Sequence, residues 1–192
     1  LGAYGDGVDF FAFKGGIETL LRELRITDVK FEACTDNASY HPGRCANVYA
    51  GEKLLGVFGQ IHPLVAANYG VDTEVYTAEL SFEAMYEMRG GIPVYQPLPK
   101  FPAVTRDIAV VCDEGVTVGA LEESIRCGAK GLLKDVSLFD IYRGPGVAIG
   151  KKSVAFNLVL RADDRSLTGE EADEDVQSIL AALKADHNAV LR

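Results

Sequence analysis

The sequence has no run approaching the roughly 20 apolar residues that a membrane-crossing helix needs, so no segment of it reads as a transmembrane helix and no membrane partner is expected. It has only four cysteines and three histidines, with no C-x-x-C spacing. Cys34, His41 and Cys45 lie close together in the chain, but a structural zinc site wants a fourth ligand and tighter pairing, so no metal site is expected. Reduced, mostly buried thiols are the reading for Cys34, Cys45, Cys112 and Cys127. Phosphate-cradling glycine loops are missing as well. So is an initial methionine, and the opening LGAYGDGVDF carries neither the basic nor the apolar stretch of a secretory signal. These absences suit a cytoplasmic protein given as an internal or C-terminal part of a longer chain.

Positive charge is also scarce. The formal net charge is −9, which argues at first against nucleic acid, since neutralising phosphates supplies most non-specific affinity. The distribution changes that view. Residues 97–192 hold 12 lysines and arginines against 15 acids, and five of those acids form the single run EEADED, Glu170 to Asp175. At the start of a helix such a run is a solvated N-terminus favoured by the helix dipole, and the rest of that half is slightly basic.

The stretch GGIPVYQPLPKFP, residues 90–102, contains two glycines and four prolines. Proline bars both helix interiors and central strands, so the stretch reads as a linker between two domains, 1–92 and 93–192. In the first, a helix runs through Ile17, Leu20, Leu21 and Leu24, and VKFEACT, ANVYAG, KLLGVFGQI and EVYTAEL read as strands of an antiparallel sheet. In the second, RDIAVVC is a strand, and Thr117 caps a helix with Val118, Leu121, Ile125 and Cys127 at helical spacing. LLKDVSLFDIY and KKSVAFNLVLRA form a hairpin, Thr168 and Glu171 make a capping box for a helix with Val176, Ile179, Leu180 and Leu183 on one stripe, and AVLR closes as a strand. The fold class is therefore α+β, and the second domain is the ferredoxin-like β-α-β-β-α-β order, with both helices on one sheet face.

Parity assigns the other face. Ile108, Val110, Cys112, Val154, Phe156, Leu158 and Leu160 are expected under the helices, joined by Phe139 and Ile141. The open face then collects Asp107, Ala109, Asp140, Tyr142, Ser153, Ala155 and Asn157. Small side chains with one aromatic ring beside them offer a resting place for a flat base, as single-stranded RNA is often read. An ionised Asp140 suits a base edge rich in donors, such as that of guanine. Lys100, Arg106, Arg143, Lys151 and Lys152 lie at strand ends or turns, within reach of phosphates. A half-exposed sheet also carries polar residues simply because water faces it, so the pattern alone leaves both readings open.

The segments LPKFPAVTRDIAVV, LFDIYRGPGVAIGKKSVAFNLVL, DRSLTGEEADEDVQSIL and the terminal AVLR resemble the ferredoxin-fold anticodon-binding domain of the bacterial phenylalanyl-tRNA synthetase β subunit. Several motifs in the right order, spanning residues 97–192, carry the resemblance. It implies that this half holds the anticodon stem-loop of the phenylalanine tRNA with the wobble guanine stacked on Tyr142. It also implies that Asp140, Ser153 and Ala109 take part; Arg106, Arg143 and Lys152, from their place at strand ends or turns, are further tRNA-binding candidates.

DFFAFKGGIETLLREL, YHPGRCANV and LGVFGQIHPLVAANYGV resemble the end of the same subunit's synthetase-like domain, a degenerate relative of the class II catalytic fold. The resemblance implies a subunit of an ATP- and magnesium-dependent ligase working with an α subunit in an α-β heterotetramer. The two arginine settings that clamp ATP in class II enzymes are missing, and His41 and His62 each precede proline, which confines them to extended backbone. No catalytic residue and no cofactor is expected within this piece. A ferredoxin-like module regulated by a small molecule such as an amino acid, or a purely structural docking domain, remains the alternative.

Overall fold

The computed structural model describes residues 1–95 and 97–192. The expected linker 90–102 includes Gln96, which lies outside the described residues. The chain forms two compact units, Leu1–Val94 and Tyr95–Arg192.

The first unit is a five-stranded antiparallel sheet in the order β1-β5-β4-β3-β2, from strands β1 (Gly2–Tyr4), β2 (Val29–Ala33), β3 (Tyr40–Ala50), β4 (Lys53–Ile61) and β5 (Val75–Leu80). Helix α1 (Phe10–Glu23) begins where the Asp9 carboxylate accepts from the Ala12 N–H. It buries Ile17 and Leu21 against Val48, Leu55 and Phe58 of the sheet. Two short helices, α2 (Pro63–Asn68) and α3 (Phe82–Met88), and strand β1 are additions to the elements read from sequence. In β4 only glycine fits at Gly56, because its φ is +154° and a Cβ there would stand 2.0 Å from the Glu79 carbonyl oxygen on β5.

Strand β3 starts earlier than ANVYAG, and its pairing with β4 is irregular between Tyr40 and Cys45, where Pro42 offers no N–H to the ladder. Both proline-preceding histidines serve the backbone. His41 Nδ1 accepts from the Gly43 N–H at 3.0 Å, and His62 Nδ1 accepts from the Leu64 N–H at 3.2 Å, capping α2.

The second unit holds β6 (Val104–Asp113), α4 (Val118–Gly128), β7 (Leu133–Tyr142), β8 (Lys151–Leu160), α5 (Gly169–His187) and β9 (Val190–Leu191). Its four-stranded antiparallel sheet has the order β7-β8-β6-β9. Thr117 caps α4, and the reciprocal Thr168–Glu171 capping box opens α5, as the sequence pattern indicates. One core joins Ile108, Val110, Cys112, Val154, Phe156, Leu158 and Leu160 of the sheet to Leu121, Ile125, Val176, Ile179 and Leu183 of the two helices.

One side chain departs from the parity reading. Phe139 is not under the helices but 59% exposed. Leu138 pairs with Phe156 and Asp140 with Ala155, so Phe139 is an extra residue in β7 without a partner, a β-bulge. The bulge absorbs it. Strict alternation counted from buried Val136 would turn Asp140 and Tyr142 toward the helices; with the bulge, Ile141 meets the core and its two neighbours face the other way.

Candidate nucleic-acid interface

Residues directly opposite one another in an antiparallel ladder share a face. One row across the second sheet is therefore Ala109, Ala155 and Asp140, and the next is Val111, Ser153 and Tyr142. Neither row is helix-facing, since the intervening row of Val110, Val154 and Ile141 lies in the core. Ala109, Asp140, Tyr142 and Ser153 thus occupy one surface. Asp107 and Asn157 extend it, with the Asn157 amide donating to Asp107 Oδ1 at 2.7 Å.

The Tyr142 ring is held in place by its surroundings. Its hydroxyl donates to the Pro145 carbonyl at 3.2 Å across the turn that follows β7. Gly144 backs onto the same end of the ring, where a Cβ would stand 2.7 Å from the phenol oxygen and 2.9 Å from Cζ. Asp140 is exposed beside it, and Ser153, in the middle of the sheet, is only 3% exposed although it faces away from the helices.

The candidate cations are distributed differently from the sequence expectation. Lys152 pairs with Cys112 and so points to the helix-covered side; it is 6% exposed and its ammonium donates to the Glu114 carbonyl at 2.9 Å. Arg106 pairs with buried Leu158, faces the same way, and is tied to Asp173 of α5 at 2.8 Å. Both therefore point away from the open face on which the sequence reading looked for phosphate contacts, and the cause is the same: each is an even-numbered member of a strand whose odd-numbered side chains face the open side. Arg143 follows β7 and pairs with Glu114 at 2.8 Å, and this hydrogen-bonded guanidinium holds the Glu114 carboxyl below the usual range. Lys151 pairs with Asp113 at 2.8 Å, and Lys100 lies exposed near the start of the unit.

A residue that parity reading passed over is Arg192. Its N–H donates to the Ala109 carbonyl at 2.8 Å, which continues the Ala109 row onto the strand at the sheet's edge. Its guanidinium carbon lies 4.9 Å from the Tyr142 ring centroid. The signal was available in AVLR, had the register of that last strand been extended by one residue.

Other clusters do not make reactive sites. Ser124, Asp186 and His187 meet between α4 and α5, but the Ser124 hydroxyl donates to Asp186 at 2.7 Å. His187 Nε2 stands 3.0 Å from that hydroxyl oxygen and 3.3 Å from the Ala120 carbonyl, so it is the donor. A carboxylate that holds the serine and an imidazole that has no free lone pair toward it cannot generate a nucleophile. Among the described residues no group of three or more His, Cys, Asp or Glu side chains is placed to hold a metal ion, and no helix is long and apolar enough to cross a membrane.

Two family models match the chain in succession. Residues 2–82 match the phenylalanyl tRNA synthetase beta chain CLM domain, and residues 99–192 match the ferredoxin-fold anticodon binding domain. Among curated proteins, the phenylalanine–tRNA ligase beta subunit of Symbiobacterium thermophilum is 46% identical over 177 residues, which is 92% of this chain and 20% of that protein. That of Clostridium tetani is 38% identical over 192 residues, all of this chain and 24% of the relative. That of Bacillus subtilis is 40% identical over 185 residues, 96% of this chain and 23% of the relative. The chain spans between a fifth and a quarter of the length of these relatives.

Proposed function

The chain belongs to the phenylalanine–tRNA ligase beta-subunit family, and from that premise we propose that the open sheet face of its anticodon-binding domain receives the anticodon of the phenylalanine tRNA. The wobble guanine stacks on Tyr142. Asp140, an acceptor when ionised, takes the N1–H and N2–H of that base, and Ala109, Ala155 and Ser153 are small enough to let it settle on the sheet. Arg143, on the turn beside Tyr142, is the nearest of the expected cations to a bound backbone, whereas Arg106 and Lys152 serve the fold.

The observation that carries this reading is the shared surface of Ala109, Asp140, Tyr142 and Ser153 on two adjacent rows. In this reading the chain recognises and does not catalyse. The aminoacylation, with its ATP and magnesium, belongs to the cytoplasmic holoenzyme formed with the α subunit as an α-β heterotetramer, and none of the described residues here is assigned to that chemistry.

The test is a titration of the 192-residue chain with anticodon stem-loops that differ only at the wobble base. Guanine should bind best and adenine, which lacks both donors, worse; Asp140→Asn should shrink the difference. Equal affinity for all wobble bases would remove the reading, and it is the result expected of an amino-acid-regulated module or a docking surface.

A further inference from the structure

Arg192 stands where the base in this reading has to go. Its strand lies beyond β6, and Tyr142 ends the strand at the opposite edge, so three strand spacings separate them, about 14 Å. Neither side chain spans that distance alone. Both lean inward and meet above the two central strands, over the row that contains Ser153, which is consistent with the low exposure of Ser153 on a helix-free face. A base stacked on the ring from this side and a guanidinium above the same ring exclude one another.

The charges around the face give Arg192 a second distinction. Arg106, Arg143 and Lys151 are paired with Asp173, Glu114 and Asp113, and Lys152 is buried on a carbonyl. No carboxylate side chain pairs with Arg192 among the described residues; the ring is its contact. A cation held by one half-buried aromatic ring and no carboxylate is weakly held and retains its full capacity for bidentate bonding to phosphate. The floor beneath it carries Asp107 and Asp140, so without Arg192 the centre of the face is acidic, a poor surface for RNA.

We propose that Arg192 is an exchangeable cation of the RNA interface: it covers Tyr142 until a base arrives, yields the ring to that base, and turns its guanidinium to the adjoining phosphate. The inference rests on the reading of the face as an anticodon site, and it adds a residue that both guards the stacking platform and anchors the backbone.

The experiment is a salt titration of the 192-residue chain, wild type, Arg192→Ala, Arg192→Lys and Tyr142→Ala, with the guanine-containing stem-loop. Arg192→Ala should weaken binding about three- to tenfold and lower the slope of log affinity against log salt by about 0.7–0.9, the signature of one lost phosphate contact. Arg192→Lys should keep most of the slope. The Arg192 Nε–H resonance, placed by the ring of Tyr142, should shift when RNA is added. If Arg192→Ala binds as tightly as wild type or tighter, with an unchanged slope, the exchange is refuted. Tyr142→Ala tells the two failures apart: when it weakens binding and Arg192→Ala does not, only the role of Arg192 falls. When Tyr142→Ala is also silent, the anticodon reading falls with it.

Discussion

Asp140 stands directly opposite Ala155 on the neighbouring strand, and the residue before it, Phe139, stands opposite nothing. The bulge that sets Phe139 aside is what reconciles the side chains before it with those after it. Deleting Phe139 should therefore leave a regular strand with Ile141 inward and Asp140 and Tyr142 outward, and change unfolding stability by less than about 1 kcal/mol. Deleting Ile141 instead drives Asp140 or Tyr142 toward the helices and removes a core contact, and should cost more than about 3 kcal/mol. Urea denaturation of the two deletion variants checks the contrast.

Asp175 presents a different balance. It is 1% exposed on α5, its Oδ1 accepts from the Lys130 N–H just past the end of α4, and its Oδ2 has no partner among the described residues. Asp175→Ala leaves the Lys130 N–H without its acceptor and should destabilise by about 1–3 kcal/mol. Asp175→Asn keeps an oxygen for that N–H and removes a buried carboxylate, so it should cost clearly less. Denaturation midpoints of the two variants give the order.

Much of this was legible in the sequence because its signals were local. Thr168 three residues before Glu171, and Val176, Ile179 and Leu183 on one stripe, identify α5 and its start without tertiary information. Alternation in KKSVAFNLVL identifies the buried side of β8 because that strand is regular throughout. Phe139 was misplaced because a bulge has no compositional mark: an apolar residue in an alternating strand reads as core until pairing shows it to be supernumerary. Lys152 and Arg106 differ for the opposite reason: a long charged side chain near a strand end reads as solvent-facing in the sequence, whereas the register turns it to the helix side. Arg192 was missed because its partner, Tyr142, is distant in sequence and on the far edge of the sheet.

The thiols separate by position. Cys34, Cys45 and Cys112 are buried and Cys127 is exposed. Burial, reinforced by the neighbouring Cys34, pushes the Cys45 thiol up to about 12, and burial also raises Cys112. A thiol reacts as its thiolate, so at neutral pH the native chain should react rapidly at Cys127 alone with an aromatic disulfide reagent. Cys127→Ser should abolish the fast phase, and denaturant should restore three slow thiols to full reactivity.

Tyr142 tests the stacking platform directly. Tyr142→Ala should weaken binding of the guanine-containing stem-loop by about 1–3 kcal/mol, as for the loss of one base–aromatic stack. Tyr142→Phe gives up the hydroxyl's bond to the Pro145 carbonyl but keeps the ring, and should retain most of the affinity. Filter binding or fluorescence anisotropy measures both, with thermal melting to show that each variant is folded.

Gly144 separates the position of that ring from its presence. A Cβ at residue 144 would stand within 2.7 Å of the Tyr142 oxygen, and the atom it meets is the far end of a side chain that is able to swing. Gly144→Ala should therefore tilt the ring with little change in melting temperature, yet weaken RNA binding by no more than Tyr142→Ala does. Combined with Tyr142→Ala the substitution should add nothing, since there is no ring left to displace, whereas two independent effects would sum. A double-mutant cycle that proved additive would mean that residue 144 touches the RNA itself, and that the turn after β7, not the ring it supports, makes the contact.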